Sequence, residues 1–190
     1  MQVLLDLVGS VILVGSLILS IMNVNINMTT ETAKSTTEFH IQTEVIQLSR
    51  IMEFDFTKIG YDVASSKVVS ADTSRLKFKS NLWNIPGQLD SVEYVLGNLV
   101  AGSTNPRDRV LTRYENTSGV LINYSITRFK LSYYKANGQL LATPVTGALL
   151  DSIDAIRVFM TVESPEPLGD NTSLLYASGY YDKLIYPRNL

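Results

Sequence analysis

The side chains in this sequence that could do chemistry are few and scattered. His40 is the single histidine and the chain has no cysteine, so the residues for a usual zinc site or a nucleophilic dyad are lacking. The sequence also has no phosphate-binding glycine loop, no dinucleotide-binding fingerprint and no serine-hydrolase elbow. We therefore expect a protein that is not an enzyme and holds no cofactor, with His40 as a polar surface residue.

Two groups of carboxylates are candidates for a cation site. The first is Asp151 with Asp154, and the second is Glu163, Glu166 and Asp170. Such hard oxygen ligands suit calcium when backbone carbonyls complete the shell, but neither spacing fits an EF-hand loop. Solvated loop carboxylates are the more usual case, so we expect no metal and keep calcium as the alternative.

One carboxylate stands alone in an apolar run. Residues 3–22 are apolar or small except for Asp6, and such a run forms a helix of roughly 30 Å, about the thickness of a bilayer's hydrocarbon core. A cleaved signal peptide is disfavoured because the first basic residue is Lys34 and no small-residue cleavage site follows the run. Two interpretations stay open: a plain membrane anchor whose Asp6 reaches the membrane surface, and a helix whose Asp6 pairs with the α-amino group or another donor of a neighbouring copy.

The apolar run continues into an amphipathic segment. Residues 28–37 form a threonine-rich polar bridge without glycine or proline, so nothing in the bridge requires a break. Gly60 then supplies a stop signal. The sequence predicts one helix over about residues 2–60, roughly 88 Å long at ~1.5 Å per residue. The apolar stripe of its second part has helical spacing and consists of Ile41, Val45, Leu48, Met52, Phe56 and Ile59.

After Gly60 the pattern changes from helical spacing to the alternation that is typical of strands. Asn137-Gly138 is a strong hairpin signal, because both turn positions tolerate a positive φ. Two segments rich in Gly, Pro and Asn, 97–108 and 163–173, are predicted as exposed loops. The candidate strands are 67–71, 75–79, 91–96, 109–114, 119–126, 128–135, 139–142, 155–162 and 174–186.

Length and composition set the overall plan. The chain has 190 residues, 18% of them charged, and a formal net charge of -2, so its bulk electrostatics suggest no nucleic-acid partner. A run of strands after one long helix is typical of α+β proteins with an antiparallel sheet. We predict an α+β fold: a protruding N-terminal helix over residues 1–62, of which 38–60 packs on the sheet, and a β-rich head over residues 63–190.

This plan resembles the type IV pilins and the type II secretion pseudopilins, with the best local match to their larger minor members. In that family an apolar helix with one early acidic residue continues as an amphipathic helix on a C-terminal antiparallel sheet. Local similarities are spread along most of the chain. They are "IQLSRIMEFDFTKIGY" (46–61), "SRLKFKSN" (74–81), "DSVEYVL" (90–96), "YYKANGQLL" (133–141), "DAIRVFMTV" (154–162) and "YPRNL" (186–190).

The amino terminus departs from the family pattern. Pilins are normally made with a short basic leader that is cut after a glycine, and their apolar run carries a glutamate. Here Met1 opens almost directly on the apolar run, and Asp6 stands in place of the glutamate. Removal of Met1 would make Asp6 the fifth residue, which is the family's acidic position. We therefore expect a divergent filament subunit without the usual leader, and the pattern leaves its export route open.

The resemblance implies a structural subunit of an extracellular filament, a homopolymer that is held in the cytoplasmic membrane before assembly and lies at the cell surface afterwards. Head-to-tail contacts that do not close give an open helical filament, and apolar helices stripped of lipid bury their surface against one another. The alternatives are a minor pilin or pseudopilin that primes or caps a pilus or secretion machine, and a monomeric, membrane-anchored, adhesin-like binding module. The candidate contacts in the filament core are Leu5, Asp6, Gly9, Val11, Leu13, Gly15, Leu17, Ile18 and Ile21.

Overall fold

The computed structural model describes residues 2–168 and 175–190, with the side chains of residues 120–124 outside that description. The chain forms one long helix, α1, packed against an eight-stranded antiparallel sheet. The predicted α+β fold is therefore confirmed.

Helix α1 runs without a break over Gln2–Thr57, about 84 Å at ~1.5 Å per residue. The threonine-rich bridge stays helical, and its hydroxyls bond to the helix itself: Thr29 donates to the carbonyl of Asn25 and Thr32 to that of Met28, at 2.9 and 2.7 Å. A hydroxyl bonded to the carbonyl four residues earlier leaves no polar group unpaired. The helix ends three residues before Gly60, whose φ of 76° turns the chain toward the sheet.

The sheet is largely a meander. Strands follow one another in the order β1-β2-β3-β4-β5-β7-β8, and β6 pairs with β5 off this path. A 3-10 helix, Gly147–Ser152, lies between β6 and β7. The strands are β1 Val68–Ala71, β2 Arg75–Ser80, β3 Asp90–Leu99, β4 Arg109–Glu115, β5 Ser118–Tyr134, β6 Leu140–Leu141, β7 Ala155–Pro167 and β8 Tyr176–Ile185.

Strand β5 corrects the prediction of separate strands at 119–126 and 128–135. It is one strand of 17 residues, and its register to β7 shifts between Ile126 and Arg128. Its first part pairs with β4 and its second part with β7. A register shift of this kind absorbs an extra residue and bends the strand. The single strand β5 therefore joins the two portions of the sheet.

Two further predictions need correction. The loop predicted at 163–173 begins later, because β7 continues to Pro167 and buries Ser164; residues 169–173 lie outside the described range, as does residue 174 of the last candidate strand. The loop predicted at 97–108 begins after β3 ends at Leu99.

The hairpin predicted at Asn137-Gly138 is present after β5. Of its two turn residues only Gly138 has a positive φ, 80°.

The core lies between the sheet and one side of α1. All six residues of the predicted apolar stripe are at most 8% exposed, from Ile41 to Ile59, although Ile59 lies just beyond the helix end. The Phe56 ring meets Phe78 and Tyr94 edge-on, with centroids 6.0 and 5.3 Å apart. Such edge-to-face pairs add to the free energy of apolar burial. The stripe thus fixes which side of α1 faces the head.

Candidate assembly surface

The first half of α1 contacts none of the head residues that the structure describes. Over residues 2–28, which we call the bare segment, every side chain is exposed apart from the half-exposed Gly9. Large apolar side chains there are between 51% and 82% exposed. The consecutive residues Leu17, Ile18 and Leu19 point in three directions and are all more than half exposed. A helix that is apolar all round belongs in lipid or among other helices, and α1 is long and apolar enough to cross a membrane.

The nine candidate contacts in the filament core all lie on this bare segment. At Gly9 and Gly15 an added Cβ would meet nothing within 4 Å, so neither glycine is required by the fold of a single copy. Ser10 donates to the carbonyl of Leu7 and Ser16 to that of Leu13, within the helix. The small residues thus leave shallow, uncharged places where another helix can approach closely.

Asp6 is the only charged side chain of the bare segment. It is exposed and has no hydrogen-bond or ion-pair partner within the described chain. The nearest cation along α1 is Lys34, roughly 42 Å away at ~1.5 Å per residue, and Lys34 already pairs with Glu31 at 3.1 Å. Among the described residues, no cation therefore lies within reach of the Asp6 carboxylate.

Residues 29–40 form a polar neck between the bare segment and the head. An open groove of about 640 Å³ lies between the neck and the end of β7. One wall is formed by five neck residues between Thr29 and Thr37, and the other by residues 164–168. Most neck side chains are exposed, and only Lys34 and Thr37 are partly covered. The described part of the head therefore covers one side of the neck.

Beyond the neck, residues 41–57, which we call the docked segment, lie against β7 and β8. A glycine makes this approach possible: a Cβ at Gly179 of β8 would lie 2.9 Å from Cγ2 of Val45 and 3.3 Å from Cγ2 of Ile41. Sequence reasoning missed Gly179. The available signal was a glycine inside a strand pattern, which often marks a close approach of another element.

An ion pair ties the docked segment to the sheet. Asp55 is 1% exposed, and its carboxylate accepts bonds from Nε and Nη2 of Arg113 at 2.6 and 3.3 Å and from the Tyr94 hydroxyl at 2.6 Å. Arg113 also pairs with Glu115 at 2.8 Å. One hydroxyl donor and a bidentate cation compensate the desolvation of the buried carboxylate.

The protonation states in this ion pair follow from the surroundings. Burial, together with the charge of Asp55, raises the pKa of the Tyr94 hydroxyl well above its ordinary value, so Tyr94 stays a donor. Burial acts to lower the pKa of Arg113, but its bonds to Asp55 and Glu115 outweigh that effect and raise it. Arg113 is therefore a cation and Tyr94 a neutral hydrogen-bond donor throughout the physiological range.

A second, more exposed clamp joins the docked segment to β8. Glu53 accepts a bond from the Tyr181 hydroxyl at 2.7 Å and pairs with Lys183 at 2.8 Å. The bonds from Lys183 and Tyr181 hold the pKa of the Glu53 carboxyl below its ordinary range. Together with the Asp55 ion pair, this clamp fixes the direction in which the neck and bare segment leave the head.

The other residues considered for chemistry lie apart. His40 is exposed on the neck. Glu163 is engaged by Arg107 at 2.8 Å and Asn105 at 3.0 Å, and Asp170 lies outside the described residues. Among the residues that are described, no group of three or more His, Cys, Asp or Glu side chains is placed to hold a metal ion.

Neither a protein-family model nor a curated protein sequence matches this chain. The fold itself is a long N-terminal apolar helix packed on an antiparallel sheet. This arrangement is compatible with the pilin-like architecture that the sequence resembles.

Proposed function

We propose that the protein is a structural subunit of a pilin-like extracellular filament, in which the bare segments of many copies form the core and the heads form the outside. One observation carries the proposal. The bare segment exposes large apolar side chains on every side. Burial of this surface against neighbouring helices would lower the free energy by roughly 25 cal/mol per Å² of apolar area removed from water.

The neck favours a filament over a lone membrane anchor. A bilayer core of about 30 Å accounts for roughly twenty residues of helix, which leaves the twelve-residue neck standing in water with the end of β7 on only one of its sides. A polar helix with so little covered surface gains little stability from packing. In a bundle of copies, neighbouring helices would cover both the bare segment and the free sides of the neck.

The attachment of the helix to the head suits the same role. A subunit transmits load along a filament only if its helix cannot swing relative to its head. The buried pair of Asp55 and Arg113 and the contact at Gly179 both resist such a motion. Before assembly, the bare segment would lie in the cytoplasmic membrane, which satisfies the same apolar surface with lipid.

The experiment is electron microscopy of material sheared from cells that make the protein, with mass spectrometry of the subunits. We expect filaments in which this chain is the main component, and the amino-terminal peptide would show at once whether Met1 is retained. Filaments that contain the chain only in traces would instead indicate a minor subunit that primes or caps the structure.

A matched deletion separates the filament from the binding module. Removal of residues 1–27 leaves the neck and head intact and should give a monomer that forms no filaments. If the full chain is also monomeric in the membrane and the shortened chain still binds a surface, the filament proposal is wrong.

A further inference from the structure

We propose that the outward face of the docked segment binds the bare segment of a second copy, with Arg50 of the first copy receiving Asp6 of the second. The inference rests on the proposed function and specifies one of its subunit contacts. Three features of α1 support it: an apolar strip, an unpaired cation and an unpaired anion.

The apolar strip lies on the side of the docked segment that faces away from the head. Ile46 and Phe54 are 50% and 47% exposed, and Arg50 lies between them. Their spacing of four residues places all three on one face of the helix. Leu48 and Met52, each two residues from Arg50, point the opposite way into the core. The outward side of the docked segment thus exposes apolar side chains among polar ones, and the ammonium of Lys58 lies 4.5 Å from the centre of the Phe54 ring.

Arg50 is the unpaired cation of this strip. Of the two cations in α1, Lys34 is paired with Glu31, whereas Arg50 is exposed and meets no acidic side chain in the part of the chain that is described. A guanidinium suits a contact that becomes buried, because it is weakly hydrated and binds carboxylates through two bonds. The strip therefore offers a cation framed by apolar side chains.

The bare segment offers the complement. Asp6 is its lone charge, framed by the exposed side chains of Leu5 and Leu7. A carboxylate carried into an apolar bundle without a partner is costly, and a paired one fixes the register between helices. Contact between the two surfaces would cover apolar area on both and would neutralise both charges.

The geometry gives this contact a definite register. Asp6 and Arg50 are 44 residues apart on one continuous helix, about 66 Å at ~1.5 Å per residue, so they cannot meet within a copy. Two parallel copies shifted by about 66 Å bring them together. In that register residue 3 of one copy lies beside residue 47 of the other.

Disulfide cross-linking tests the register directly, because the chain has no cysteine of its own. The double variant Val3→Cys/Gln47→Cys keeps the charges of Asp6 and Arg50 and changes only two exposed positions. We expect mild oxidation of its filaments to give a ladder of covalent multimers, because a disulfide requires Cα atoms about 4.4–6.8 Å apart. The matched control is Val3→Cys/Glu31→Cys, in which the two cysteines would lie side by side if Asp6 paired with Lys34. The control removes Glu31, the partner of Lys34 within one copy, and so favours that competing register. We nevertheless expect no ladder from it.

Charge exchange provides a second, independent measurement. Asp6→Lys and Arg50→Glu should each lower the yield of filaments, relative to chain in the membrane fraction, by roughly tenfold or more, since each removes one side of a desolvated pair. The double variant should recover most of that yield. Lys34→Glu, the control, should change the yield little because Lys34 lies in an exposed pair.

The outcomes separate the inference from the function it rests on. If filaments form but residues 3 and 47 do not cross-link, or residues 3 and 31 cross-link equally well, the contact is wrong and the filament stands. A double charge variant no better than either single variant also overturns the contact. Failure of the unaltered chain to form filaments overturns the proposed function itself.

Discussion

The docked segment and the bare segment belong to one helix but obey different rules. In the docked segment the six residues of the stripe are at most 8% exposed and face a sheet that supplies specific partners, whereas Ile46, Ile51 and Phe54 on the outward side are between 42% and 50% exposed. In the bare segment the apolar residues occupy every side and meet none of the head residues that the structure describes. The stripe therefore specifies an intramolecular contact, and apolar residues outside it specify an environment that other molecules must provide. The following predictions test that division, from the largest expected effect to the smallest.

The largest effect should come from Arg113→Met. This change leaves the Asp55 carboxylate buried with only the Tyr94 hydroxyl and no cation, which costs about 3–5 kcal/mol in the free energy of unfolding. Urea denaturation of the full chain in detergent, followed by the fluorescence of the single tryptophan Trp83, measures it. The control Arg157→Met breaks the exposed pair with Asp182 and should change the midpoint little. Equal midpoints for the two variants would mean that the buried Asp55 pair contributes no more to the free energy of unfolding than the exposed pair does.

Met52→Ala compares the two segments directly. Met52 is fully buried in the core, so its truncation should lower the free energy of unfolding of the head by about 2–5 kcal/mol. Leu13→Ala in the bare segment should leave head unfolding unchanged, because Leu13 is 70% exposed and meets no residue of the head. The division between the segments fails if the urea midpoint of Leu13→Ala falls as far as that of Met52→Ala.

The division itself could be predicted from the sequence, because both patterns are local. The spacing of Ile41, Val45 and Leu48 indicates a one-sided stripe, and the absence of glycine and proline in the threonine-rich bridge indicates a single helix. The bonds from the threonine hydroxyls to carbonyls of their own helix were not part of that prediction.

The contacts that fix the head on the helix could not be predicted this way. Asp55 and Arg113 are 58 residues apart, and no periodicity relates a helix residue to a strand residue at that separation. Strand β5 was divided in the prediction for a related reason. Ile126 and Phe129 both face the core, a spacing of three that breaks the alternation of a strand and that a bulge restores only once the neighbouring strands are in place.

Gly179→Ala should have an intermediate effect. The new Cβ would lie 2.9 Å from Val45, and valine side chains have little rotamer freedom in a helix, so α1 must shift away from β8. We expect a loss of roughly 1–3 kcal/mol in head stability, measured by the same urea titration. The control Gly15→Ala has open space around it and should not lower the midpoint. A Gly179→Ala variant as stable as the unaltered chain would show that this close approach is dispensable.

The smallest effect should be the dependence of stability on the charge of Glu53. Folding lowers the pKa of this carboxyl below its ordinary value of 4.5, chiefly through Lys183 and then Tyr181, so ionised Glu53 stabilises the fold. That contribution is fully present above pH 4.5 and is lost as the pH falls through the lower, folded-state pKa. Because the side chain is 37% exposed, solvent screening limits it to a few tenths of a kcal/mol. Glu53→Gln should therefore be slightly less stable than the unaltered chain at pH 7, and the two urea midpoints should converge toward pH 3. When Lys183→Met is present in both chains, the urea midpoints with and without Glu53→Gln should differ less at pH 7.

If the midpoints of Glu53→Gln and the unaltered chain differ by the same amount from pH 7 to pH 3, the clamp acts through packing and not through charge.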